Sequence, residues 1–244
     1  MSHKRRIDQQ PAYILHAYPW RETSLIIETF SCDYGRVAMV AKGARRPASA
    51  LRSVLMAFQP LLLDWSGGGE VKTLVRAEWQ GGQPLLSGQM LLCGYYLNEL
   101  LMRLSAREDP HPRIFQAYTC ALGALSRNPV PAPVLRRFEL VLLHELGYGV
   151  GLDSESDSGK ALDPEKRYLY IIEKGLVAIR DDDGGRYDNA CVMSGRTLLD
   201  MAQDDFDRPE TVTQSKILLR MLINHYLGGQ TLQSRRILKE LQAL

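Results

Sequence analysis

The segment Ser24-Leu25-Ile26-Ile27-Glu28-Thr29-Phe30-Ser31-Cys32-Asp33-Tyr34-Gly35-Arg36-Val37-Ala38-Met39-Val40-Ala41-Lys42 decides how the first third of this chain folds. Its two ends, Ser24 to Phe30 and Arg36 to Lys42, are short runs rich in β-branched and apolar residues, which predicts strands. Between them Ser31 to Gly35 is a hairpin-sized loop that closes on a glycine able to take positive φ. Working outward, Tyr13 to Tyr18 predicts a strand before this pair. Phe58 to Trp65 and Val71 to Trp79, joined by Ser66-Gly67-Gly68-Gly69, predict two strands after it. Five strands in about eighty residues predict a small barrel. The OB-fold is the usual barrel of that size, with SH3-like barrels the nearest competitor.

From about Ser87 the apolar period becomes helical. Leu91, Leu92, Tyr95, Tyr96 and Leu100 predict one helix, Ile114 to Leu125 a second, and Pro133 to Leu146 a third that ends at Gly147. Asp, Ser, Gly, Lys and Pro then dominate as far as Lys166. Two strand-like stretches follow, Tyr168 to Glu173 and Leu176 to Arg180, around Lys174-Gly175, with the acidic turn Asp181-Asp182-Asp183-Gly184-Gly185 beyond. Helices are expected from Ser194 to about Gln203, from Pro209 to about Tyr226, and from a Ser234 cap onward. The expectation is an α+β chain. It comprises a barrel over 1–80, a helical domain over 81–149 and 191–244, and a small β-hairpin insertion over 150–190.

With 244 residues, 45% of them apolar, the chain is long enough to bury a sizeable core, which excludes a disordered tail protein. No run reaches the roughly 20 apolar residues that a spanning helix needs. Cys32, Cys93, Cys120 and Cys191 lie tens of residues apart, so no close pair supplies metal ligands from one turn. Met1 to Gln10 has no apolar stretch behind its Lys4, Arg5 and Arg6, so the chain reads as reduced and cytosolic. The net charge of +2 argues against a nucleic-acid binder until it is divided along the chain. Residues 1–80 carry +4, 81–149 carry +1, 150–210 carry −7 and 211–244 carry +4.

Enzyme chemistry finds little to work with. His3, His16, His111, His144 and His225 include no metal-binding pair on one helical turn, and His144-Glu145 is not followed by the second histidine of a zincin. Gly67-Gly68-Gly69-Glu70 lacks the Gly-Lys-Ser/Thr ending of a phosphate-binding loop. Asp181 to Asp183 lack the alternating ligands and terminal Glu of a calcium loop. A metal-dependent nuclease using those aspartates is the weakest alternative, because no partner cluster is in sight.

Basic residues carry more. Arg36, Lys42, Arg45, Arg46 and Arg52 fall within seventeen positions that contain no carboxylate, and Gly43, Ala44, Pro47 and Ser49 make their setting a loop leaving the third strand. Such a loop can follow a phosphate backbone, and it can equally be a solubilising surface. Lys72 and Arg76 have even spacing on the fifth strand, so they are expected to share a face and extend the track. Tyr18, Trp20 and Tyr34 are candidates for stacking bases, although Tyr18 fits a core position as well. A second set comprises Lys216 and Arg220 on one helix with Arg235, Arg236 and Lys239 on the last, where a basic final turn also suits the helix dipole. A third is Arg136 and Arg137, beside Leu135 and Phe138, a combination suited to an acidic peptide ending in a hydrophobic residue or a free carboxylate.

Several strings in fixed order resemble one family. Trp20-Arg21-Glu22-Thr23-Ser24-Leu25, Gly35-Arg36-Val37 with Val40-Ala41-Lys42-Gly43-Ala44-Arg45, Phe58-Gln59-Pro60-Leu61 and Gly69-Glu70-Val71-Lys72-Thr73-Leu74 are similar to the N-terminal domain of the bacterial RecO family. Tyr96-Leu97-Asn98-Glu99-Leu100-Leu101, Leu135-Arg136-Arg137-Phe138-Glu139-Leu140, Leu146-Gly147-Tyr148-Gly149, Leu227-Gly228-Gly229 and Ser234-Arg235 continue the resemblance to the C-terminus.

The resemblance implies an OB-fold, a helical domain and a small zinc-ribbon-like insertion. It implies a cytoplasmic, nucleoid-associated recombination mediator in DNA repair that is not an enzyme and uses no cofactor. It also implies binding to single- and double-stranded DNA, annealing of complementary strands, action with RecR to load RecA, and capture of the C-terminal tail of single-strand-binding protein. Arg136, with Arg137 beside it, is the position the resemblance assigns to the tail carboxylates. Zinc-bearing members carry four cysteines in the insertion. Here residues 150–190 have none, so no structural zinc is expected, and stoichiometric zinc in the purified protein would overturn that. An adaptor that binds the tail and meets DNA only incidentally is the alternative.

Overall fold

A computed structural model describes residues 6–149, 151–179 and 190–242. The aspartates Asp181 to Asp183, Arg180 before them and the side chain of Lys239 lie outside the described residues. The chain forms two compact units, residues 1–129 with 232–244 and residues 130–231.

In the first unit β1 (Arg6–Trp20), β2 (Ser24–Ser31), β3 (Gly35–Ala41), β4 (Leu61–Ser66) and β5 (Val71–Trp79) close a barrel in the order β1-β2-β3-β5-β4. All pairings are antiparallel except β3 with β5. This is the expected OB-type barrel. Ile14, Ile27, Met39, Leu63 and Trp65 fill its interior, each worth roughly 1.5–3 kcal/mol on burial. The decisive hairpin forms as its sequence predicts. Gly35 sits at φ +61°, and a Cβ there would stand 2.0 Å from the Asp109 carbonyl oxygen, so only glycine fits.

Three features of the barrel exceed the sequence reading. β1 begins at Arg6 instead of Tyr13 and bends at register shifts between Ile7 and Gln10 and between Ile14 and His16. A short helix, α1 (Leu51–Val54), follows the basic loop. The register of β4 against β5 shifts between Asp64 and Trp65, which pair with Arg76 and Leu74 and leave Val75 as a bulge.

Helices α2 (Gly88–Leu104) and α3 (Pro112–Leu125) belong to this unit, and α3 covers Tyr13 and Phe30 with Phe115 and Tyr118. The bulge at Leu15 leaves its carbonyl free of the ladder, and buried Asn98 donates to it at 2.8 Å. Asn98 in turn accepts from Tyr118 Oη at 2.5 Å, so α2, α3 and β1 share one polar relay. Helix α7 (Gln233–Gln242) packs on α2, and its N-terminus is capped from α2. The backbone N–H groups of Gln233 and Ser234 and the Ser234 hydroxyl all donate to the Glu99 carboxylate. Ser234 therefore lies inside the helix and is not its cap.

The second unit holds α4 (Pro131–Glu145), β6 (Arg167–Ile171), β7 (Gly175–Ala178), β8 (Ala190–Ser194), α5 (Gly195–Ala202) and α6 (Pro209–Tyr226). The expected hairpin is β6 with β7, and β8 adds a third antiparallel strand on the other side of β6. Leu169, Ile171 and Val177 form its apolar cluster, and Ala190 packs against it. Burial on β8 pushes the Cys191 thiol up to about 11, so it stays a thiol at neutral pH.

Candidate nucleic-acid interface

The loop after β3 is held at a few points and exposed between them. Ala44 is buried in the barrel core, and the Arg45 N–H donates to the Thr23 carbonyl in the β1–β2 turn. Arg45 Nη1 reaches the Arg21 and Glu22 carbonyl oxygens at 3.2 and 3.3 Å. Lys42, Arg45, Arg46 and Arg52 are all exposed, and Lys42, Arg46 and Arg52 make no ion pair among the described residues. Four cations are thus displayed on an anchored scaffold, with most of their charge uncompensated. Such an arrangement can attract a polyanion, because each phosphate it neutralises would release condensed counterions.

The hydrogen bonds of Arg45 bring the β1–β2 turn to this loop and add three side chains. Trp20 and Tyr18 are exposed, and the Arg21 guanidinium lies over the Trp20 ring, 5.9 Å from its centroid. Arg21 is the cation that sequence reasoning missed. Its proximity depends on the turn and is invisible in the spacing of the basic residues.

Other expected positions fall elsewhere. Arg36 is only 8% exposed and donates to the Met102 and Ser105 carbonyl oxygens at 2.5 and 2.7 Å, with Glu28 at 3.7 Å. It is a strut beneath α2, since the outward face of β3 is covered there. Burial lowers its pKa, although the Glu28 carboxylate opposes that shift. Lys72 and Arg76 do not share a face. The Val75 bulge shifts the alternation between them, so Lys72 is largely covered and paired with Glu108 at 2.6 Å. Arg76 is exposed and paired with Glu78 at 2.6 Å. Tyr34 packs edge-on against Trp65 in the barrel core and is not placed to stack a base.

Arg235, half-buried in the first unit, donates to Tyr96 Oη at 2.9 Å and lies over that ring, while exposed Arg236 faces Glu240. In the second unit Lys216 and Arg220 are exposed on α6. On α4 the expected tail-binding pair divides. Arg136 is 7% exposed and held by Glu139 at 2.7 Å, so an incoming carboxylate would have to displace a buried partner. Arg137 is the accessible member, gripped by both Asp204 carboxylate oxygens at 3.1 Å and lying over Phe206.

Among the described residues no three His, Cys, Asp or Glu side chains are grouped to hold a metal ion. No described helix is long and apolar enough to cross a membrane.

Comparison with known proteins agrees with this architecture. Residues 5–82 match the family "Recombination protein O N terminal", and residues 85–236 match "Recombination protein O C terminal". Over the full length of both chains the sequence is 70% identical to the DNA repair protein RecO of Aromatoleum aromaticum and 64% identical to that of Azoarcus sp. strain BH72. It is 51% identical to that of Dechloromonas aromatica, again over the whole of each chain.

Proposed function

Because the chain belongs to the RecO family of DNA repair proteins, we propose that it works as a DNA-binding recombination mediator and not as an enzyme. It binds single- and double-stranded DNA through phosphate contacts, anneals complementary strands, and with RecR promotes loading of RecA on DNA coated by single-strand-binding protein. The observation that carries this reading is the exposed group Lys42, Arg46 and Arg52 beside Arg45, unpaired among the described residues. Annealing needs two mutually repelling strands held close together, and an anchored positive surface achieves that by screening, without a catalytic group. The net charge of +2 is the sum of +4 over residues 1–80, +1 over 81–149, −7 over 150–210 and +4 over 211–244, so it is no measure of the charge of this loop and is compatible with DNA binding. Arg76, Arg235 and Arg236 extend the surface in the first unit, and Lys216 and Arg220 supply a second one. Arg137, in exchange with Asp204, is the contact for the acidic tail of single-strand-binding protein. The working place of such a protein is the nucleoid in the cytoplasm.

Salt titration tests the proposal. The logarithm of single-strand affinity should fall linearly with log salt, by roughly 0.7 for each phosphate contact. Arg45→Glu combined with Arg46→Glu should flatten that slope by about 1 to 2. An unchanged slope removes the loop from the DNA surface.

A further inference from the structure

Past its short pairing with β3, strand β5 has a neighbour on one side only. β3 meets it at Val71, Lys72 and Thr73 and ends at Ala41, whereas β4 accompanies it from Thr73 to Trp79. The Gln80 N–H donates to the Pro60 carbonyl, and the same register runs on through Leu62↔Glu78 to Asp64↔Arg76. Antiparallel bonding alternates, so Gln80, Glu78 and Arg76 turn their backbone groups toward β4, and Trp79 and Ala77 turn theirs away from it. Among the described residues no strand or hydrogen bond takes up those groups. Leu51 and Val54 of α1 pack, like Ala77, against the barrel interior, and Val75 is 48% and Trp79 54% exposed.

We propose that this edge pairs with the same edge of a second copy of the chain. An open edge is ordinarily shielded by charges that repel a second strand. Arg76 and Glu78 are exposed, opposite in sign and one residue to either side of Ala77. When the strand meets its own copy reversed about a two-fold axis at Ala77, Arg76 faces Glu78 of the second copy and Glu78 faces Arg76 of the second copy. These are the non-hydrogen-bonded pairs, where side chains stand closest. The two Ala77 residues exchange both backbone bonds, and exposed Val75 meets exposed Trp79. Charge, hydrogen bonding and apolar surface therefore match in one register, as an isologous contact requires. Centring the axis on Arg76 or on Glu78 would instead set like charges against each other. An edge running only from Val75 to Trp79 buries less than the roughly 1,200–2,000 Å² of a stable interface. The pair is accordingly weak in free solution and is favoured where two copies are held at high local concentration. Only its use in annealing, where two copies bring two strands together, rests on the DNA reading. In such a pair Arg76 serves the second copy and not the DNA.

The test uses the full chain without DNA, so it is independent of the DNA reading. Sedimentation equilibrium at high micromolar concentration should show a monomer–dimer equilibrium that weakens with salt. Arg76→Glu and Glu78→Arg should each weaken it about tenfold, because each sets like charges opposite one another. An equimolar mixture of the two variants should restore it to within about threefold, since every facing pair is then opposite in sign. Restoration also shows that both variants are folded. Arg76→Cys combined with Glu78→Cys should yield, on oxidation, a covalent dimer joined between positions 76 and 78, whose Cα separation of about 4.5 Å suits a disulfide. A monomer at every concentration, single reversals that dimerise as well as the unaltered protein, a mixture that stays monomeric, or a cross-link that does not form overturns the pairing and leaves the DNA reading untouched. Failure to bind DNA with the dimer intact removes only its use in annealing.

Discussion

The Arg36 guanidinium donates to the carbonyl oxygen of Ser105 at 2.7 Å, tying the third barrel strand to the segment that follows α2. That segment returns the contact, since the Glu108 N–H donates to the Arg36 carbonyl at 2.9 Å. A basic residue that looks like part of a DNA-binding run is in fact a clasp.

Arg36→Ala should destabilise the protein by about 2–3 kcal/mol. The substitution leaves two carbonyls without their donor and removes one of two cations from buried Glu28, the other being Arg107. Urea unfolding measures the loss. The salt slope of DNA binding, taken where the variant is still folded, should equal that of the unaltered protein. A flattened slope would return Arg36 to the DNA surface.

Why Arg36 is buried while Arg46 is exposed is a matter of which periodicities a sequence carries. Strands and helices were legible because apolar alternation and the 3.6-residue period are local, and the Ser24 to Lys42 hairpin closed as its residues indicate. The cover laid on the outward face of β3 comes from residues 102–108, some seventy positions away, and leaves no local signal. The shared face expected of Lys72 and Arg76 failed for a different reason. Even spacing implies one face only in an unbroken strand, and the Val75 bulge is fixed by pairing with β4. Arg136 and Arg137 are adjacent and chemically identical, so only the packing of α4 decides which is buried with Glu139 and which meets Asp204.

The relay from Tyr118 through Asn98 to Leu15 makes a second prediction. Asn98→Ala strands the Leu15 carbonyl and takes the Asn98 Oδ1 acceptor from the Tyr118 hydroxyl in a buried site, where burial already raises the Tyr118 pKa well above its ordinary value. The expected cost is about 2–4 kcal/mol. Tyr118→Phe removes only one partner and should cost less, about 1 kcal/mol. Equal costs would mean that the Leu15 bond contributes nothing.

Asp204 neutralises Arg137 on the open surface of the second unit. Asp204→Asn should free that guanidinium and strengthen binding of an acidic, apolar C-terminal peptide by about 2- to 5-fold, in the range of an exposed ion pair. Arg137→Ala should weaken the same peptide, and fluorescence anisotropy of a labelled peptide reads both. If Asp204→Asn weakens the peptide, Asp204 is a contact and not a competitor.

The last helix gives a pH-dependent prediction. Burial pushes the Glu99 carboxyl up, but the hydrogen bonds from the Ser234 hydroxyl and from the Ser234 and Gln233 N–H groups outweigh it and hold the pKa below its ordinary value. A depressed native pKa means that the ionised form is the one that docks α7. Its contribution is full above the unfolded value of about 4.3 and is lost as pH falls through the lower native value. Amide hydrogen exchange at Gln233 and Ser234 should therefore be slow at neutral pH relative to intrinsic rates and lose protection in acid before the barrel does. Glu99→Gln keeps the shape but removes the charge at a helix N-terminus, so it should weaken docking by about 1–3 kcal/mol and abolish that acid step. An acid step that survives in Glu99→Gln would assign the titration to another group and leave Glu99 as a neutral spacer between α2 and α7.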